Sequence, residues 1–137
     1  MTGESIGLGS NFLVASPGIA LNELPVKIDI KPGSFPNSIN LGSRGTVPVA
    51  IFSDGDFDAT TVDRLTVKLA GAPVLLKRNG TPMASVEDVN GDGLPDLVVH
   101  VSTEDLQLSD AAIAAVLEGK TYSGTQIRGR DTVKVVP

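Results

Sequence analysis

The sequence predicts an all-β chain folded as an antiparallel β-sandwich of about seven or eight strands. Three observations carry that expectation. Apolar residues recur at alternate positions in short runs, as in "VKIDI" and "DLVVHV". The runs follow one another at spacings of about ten residues, with turn residues between them. Fifteen glycines and nine prolines are spread along all 137 residues instead of pooled, which suits short strands joined by turns.

Taken in order, residues 1–25 stand apart. Ile6, Leu8, Phe12 and Val14 lie two or four apart, with Ser5, Gly7, Gly9 and Asn11 between them. That period of two describes an extended strand with one apolar edge. It reads as a linker, as the first strand of its own domain, or as a strand donated to a neighbour. The main domain, residues 26–137, begins with Val26, Ile28 and Ile30 alternating against Lys27, Asp29 and Lys31. "KPGSFPNSINLGSRG" is loop. "TVPVAIF" returns to strand with Val47, Val49 and Ile51 on one face, and Pro48, which lacks a ladder donor, places a bulge or an edge there.

Asp58 is placed to cap one helical turn before the strand "TVKLA". Asn79-Gly80 between "PVLLKR" and "TPMASVE" predicts a type I′ hairpin, because both residues tolerate positive φ. "DLVVHV" turns Leu97, Val99 and Val101 to one side and His100 to the other. "LSDAAIAAVLEG" suits a two-turn helix capped by Ser109 or a strand. "GTQIRGRDTVKVV" closes the domain. The layout expected from this series is immunoglobulin-like.

Composition removes several function classes. A net charge of −5 does not suit nucleic-acid binding, which needs a basic surface. No apolar run approaches the ~20 residues of a membrane span, so no membrane insertion is expected. There is no cysteine, hence no disulfide framework and no thiolate chemistry. Residues 1–25 carry no basic n-region followed by a continuous apolar stretch, so no signal peptide is read there, and an exported form would be a processed one.

The densest local signal is "EDVNGDGLPDLVVHV", Glu87 to Val101. Asp88, Asn90, Asp92 and Asp96 fall at positions 1, 3, 5 and 9 of a loop in which Gly93 permits a sharp turn and the Leu94 carbonyl offers another oxygen. Alternate side chains in a tight loop converge, and convergent oxygens suit a hard cation. Calcium accepts six to eight such ligands in loose geometry, magnesium demands a strict octahedron, and zinc lacks its cysteine and histidine donors here. Calcium is therefore the cofactor expected. Position 12, where an EF-hand carries glutamate, is Val99. Glu87, Asp54, Asp56 and Asp58 are candidates for the missing ligand that spacing does not rank. Weak calcium sites fill outside cells, which favours an extracellular or cell-surface location.

"IDIKPGSFPNSINLGSRGTVPVAIF", "FDATTVD", "EDVNGDGLPDLVVHV" and "GTQIRGRDTVKVVP" together resemble a calcium-loop β-sandwich domain that recurs in secreted and surface proteins of bacteria and archaea. The resemblance covers residues 26–137 and implies an extracellular sandwich, attached to many different partners, with no enzymatic activity of its own. The acidic loop alone is also similar to those of dockerins and integrin-type repeats. Residues 1–25 lie outside the resemblance.

Three function classes follow. An enzyme is least supported: His100 is the sole histidine, and no G-x-S-x-G elbow is present. A carbohydrate-binding module would recognise polysaccharide, usually through stacked tryptophan or tyrosine, and the chain has no tryptophan and one tyrosine, Tyr122. The reading preferred is a non-catalytic, calcium-stabilised structural module. Its partner is another surface protein or itself, assembled head-to-tail through Ile6, Leu8, Phe12 and Val14.

Overall fold

The structure, a computed structural model, describes residues 23–137. The row Ile6, Leu8, Phe12 and Val14 lies outside the described residues. Eleven strands are described: β1 (Glu23–Pro25), β2 (Ile28–Ile30), β3 (Ser38–Asn40), β4 (Thr46–Ile51), β5 (Val62–Leu69), β6 (Ala72–Pro73), β7 (Ala84–Glu87), β8 (Asp96–Ser102), β9 (Ala114–Thr121), β10 (Gln126–Thr132) and β11 (Lys134–Val136). The excess over the seven or eight expected comes from pieces of two or three residues, such as β3 and β6, which are too short to show a period. The segment left open between helix and strand resolves as β9 from Ala114.

The chain is all-β. One sheet has the order β1-β10-β9-β5-β6, a second β2-β4-β8-β7, and a small pair is β11-β3. Most neighbours run antiparallel. Two pairs depart from the expected antiparallel scheme: β1 with β10, and β3 with β11, are parallel. Partners as distant as Ser38 and Lys134 bring the two ends of the domain together.

The alternating runs build the core as expected. Val47, Val49 and Ile51 of β4 face the same interior as Leu97, Val99 and Val101 of β8. From the five-stranded sheet, Val67, Leu69, Leu117 and Ile127 join them in one apolar cluster. Each such side chain, fully buried, stabilises by about 1.5–3 kcal/mol. Pro48 sits inside β4 with no bulge. The Pro48 carbonyl accepts from the Lys31 amide, one residue past the end of β2, so its missing N–H faces the place where that neighbour has stopped. The edge expected at Pro48 is thus an edge of two or three residues within an interior strand.

Turns show one agreement and one exchange. The Asp58 side chain caps a 3-10 turn over Ala59–Thr61, accepting from the Thr60 amide. The type I′ turn stands elsewhere than at Asn79-Gly80. There Gly80 has φ 86 but Asn79 is not at positive φ, and the Gly80 amide donates to the Lys77 carbonyl, giving a type I turn followed by a left-handed glycine. Ala70 and Gly71 both have positive φ, 46 and 82, and join β5 to β6 directly. Tertiary contact selects that turn. The Gln107 amide donates to the Ala70 carbonyl, and a Cβ on Gly71 would lie 2.6 Å from the Gln107 side chain.

Candidate metal centre

β7 and β8 are antiparallel neighbours whose last pair is Glu87 with Asp96. The intervening eight residues, 88–95, must reverse the chain, and Gly91 and Gly93 do so at φ 74 and φ 86. Gly93 therefore makes the sharp turn that its position predicted. The loop's own side chains then satisfy its amides. Asp88 accepts from the Gly91 amide through Oδ1 at 2.9 Å and from the Gly93 amide through Oδ2 at 2.8 Å. The Asn90 Oδ1 accepts from the Asp92 amide at 3.3 Å, and the Asp92 Oδ1 accepts from the Leu94 amide at 2.9 Å.

Asp96 is the fixed point. It is fully buried, with Oδ1 accepting from the Ser53 amide and Oδ2 from the Val89 amide, both at 2.9 Å. Ser53 completes the clamp: its hydroxyl donates to the Pro95 carbonyl at 2.6 Å and accepts from the Ala59 amide at 2.7 Å. One carboxylate thus ties the acidic loop to the end of β4 and to the turn after it. Sequence reasoning missed Ser53 altogether. It lies 43 residues from Asp96 and carries no motif.

The arrangement brings together carboxylate oxygens of Asp88, Asp92 and Asp96, all within 4.8 Å of one another. Three like charges at that separation repel by roughly 1 kcal/mol per pair in a water-like medium and about 3–4 kcal/mol at an effective dielectric of 20. Backbone N–H groups offset part of this. The Asp92 Oδ2 has no donor among the described residues, and each bonded carboxylate oxygen keeps a further lone pair. A cation placed among the three oxygens would reverse the sign of the interaction, so the group can hold a metal ion.

Of the residues expected to bind, Asp88, Asp92 and Asp96 converge. Asn90 and Leu94 stand exposed on the same loop, the amide oxygen of Asn90 turned to the Asp92 N–H. The other acidic candidates are not in the convergent group. Glu87 accepts from the Ser85 hydroxyl, Asp54 from the Asp56 amide and Asp58 from Thr60. His100 lies on β8 opposite Pro48, half-exposed.

Away from this loop, Asp29 is held above the usual carboxylate value of 3.8, first by burial and then by the charge of Asp131. Asp131 is itself engaged, with Oδ2 accepting from the Ile30 amide and from the Asn37 side chain. No helix among the described residues is long and apolar enough to cross a membrane. No protein-family model, no curated protein and no solved structure matches this chain.

Proposed function

We propose that the chain is a non-catalytic, extracellular structural module, an immunoglobulin-like β-sandwich whose Asp88–Asp96 loop is locked by calcium. The observation that carries this is the convergence of Asp88, Asp92 and Asp96 within 4.8 Å, with Asp96 fully buried and keyed to a second segment. An ion bound there would hold the loop, β8 and the Ser53 turn as one unit. The donors are all oxygen, which favours calcium or magnesium over softer metals. Two of the three carboxylates are exposed, which suits calcium, an ion that accepts loose geometry and completes its shell with water and backbone carbonyls; that of Leu94 is the candidate. Asn90 completes the set of candidate ligands.

Assembly belongs to the same reading, with Ile6, Leu8, Phe12 and Val14 as a strand given to the next copy. Polysaccharide recognition has less support. The exposed rings of Phe35 and Tyr122 stand in separate turns, whereas stacking on a sugar chain calls for rings on one surface. The test is a calcium titration followed by melting temperature and by calorimetry. At ten times the dissociation constant, one site adds about 1.4 kcal/mol of stability. Equal melting curves in calcium, magnesium and chelator would remove the proposal's basis.

A further inference from the structure

We propose that the cleft beside the β1–β2 link is the receptor for residues 5–14 of a second copy of this chain, an inference that rests on the assembly reading above. The cleft has a volume of about 540 Å³ and draws its lining from both large sheets. Val26, Ile28, Phe52 and Val116 give it apolar walls, and Val26, Phe52 and Val116 remain only half-buried. Its floor is Gly129, where a Cβ would lie 2.7 Å from the Val26 carbonyl oxygen. The glycine lets the β1–β2 link cross low over β10 and leaves the trough beside it.

The occupant is read from where the remaining chain ends and from what it carries. Residues 1–22 join the described domain at Glu23, on the lip of this cleft. β1 runs parallel to β10 with Glu23 opposite Gln126, whereas the cleft continues alongside Arg128 to Arg130. From Glu23 to Pro25 the chain thus already heads toward the cleft. To fill the trough, residues 5–14 of the same chain would have to reverse direction; those of a second copy would not. Eight residues separate Val14 from Glu23, a tether of up to roughly 30 Å, about the width of a small domain.

Chemistry matches along the same row. At period two, Ile6, Leu8, Phe12 and Val14 share an edge that continues to Glu4, the one charged side chain in residues 1–22. The cleft rim carries Lys27 and Arg130, which have no ion pair among the described residues. An apolar row ending in a carboxylate meets an apolar trough with a cationic rim. Donor segment and receptor cleft are different parts of the chain, so a contact between copies is head-to-tail and open-ended.

The chain has no cysteine, which makes the test direct. Full-length Phe12→Cys and Val116→Cys are prepared separately, mixed with calcium present, oxidised, and searched by mass spectrometry for a disulfide joining position 12 of one chain to position 116 of another. The expected result is that linked heterodimer, and a ladder of linked multimers when both substitutions share one chain. Val116→Asp should abolish every species above monomer mass in light scattering, while Ile113→Asp, on a different exposed surface, should leave the distribution unchanged. A disulfide formed only within the doubly substituted chain would overturn the proposal in favour of self-occupancy. Wild-type assemblies, with no link between the two engineered thiols in the mixed variants, would overturn the cleft but leave assembly standing. A wild type that is monomeric at high concentration would overturn both.

Discussion

Replacing Asp96 by asparagine separates the structural work of this carboxylate from metal binding. Asp96 is fully buried and accepts one amide through each oxygen, from Ser53 and from Val89. Asparagine keeps one acceptor and turns an NH2 group toward the other N–H, leaving a buried donor without a partner. An unsatisfied buried group costs about 1–3 kcal/mol, and a hydrogen bond to a charged group is worth about 1.5–3 kcal/mol. Losing the charge also relieves repulsion from Asp88 and Asp92, so without metal the expected net loss is about 2–4 kcal/mol. For a domain of this size that corresponds to roughly 10 °C in melting temperature. Asp92→Asn is the companion change. Asp92 is exposed, and its one bonded oxygen has an amide-oxygen counterpart in asparagine, so no hydrogen bond is lost; two like-charge pairs disappear, and the apo domain should gain about 1–2 kcal/mol. The assay is thermal unfolding of wild type and both variants in chelator and in calcium. Asp96→Asn should melt low in both conditions, whereas Asp92→Asn should melt somewhat above wild type in chelator and lose the rise produced by calcium. An unchanged apo melting temperature for Asp96→Asn refutes the clamp, and a full calcium response from Asp92→Asn refutes the site.

Asp29 is held above 3.8, so the folded protein binds its proton more readily than the unfolded chain. The penalty is present above the raised folded value and fades as pH falls toward 3.8; Asp29→Asn should melt higher than wild type at neutral pH, with the gap closing in acid, and a pH-independent gap would contradict this. Gly71→Ala forces an L side chain to φ 82 against Gln107 and should destabilise by about 1–2 kcal/mol, a reading that an unchanged denaturant midpoint would dismiss. Asn37→Ala removes two donors, to the Asp131 carboxylate and the Thr132 carbonyl, from a buried position. It should lose about 1–3 kcal/mol and speed amide exchange in β3 and β11; normal exchange there would show that the Asn37 side chain does not hold that pair together.

The apolar alternation of β4 and β8 could be read without the structure because a strand's period is local: residue i and residue i+2 share a face whatever the neighbours are. The acidic loop was legible for the same reason, since the spacing of Asp88, Asp92 and Asp96 in a glycine-broken segment already brings oxygens together. Local pattern says which face is apolar, and not which strand lies beside it. Parallel pairing of β3 with β11, the short-ended neighbour that accommodates Pro48, and the burial of Asp96 beneath Ser53 all join residues far apart in the chain. The type I′ turn belongs with them. Asn79-Gly80 has the composition for it, but Ala70-Gly71 adopts it because Gln107 packs against that corner, and packing energy outweighs the small intrinsic preference of a turn residue.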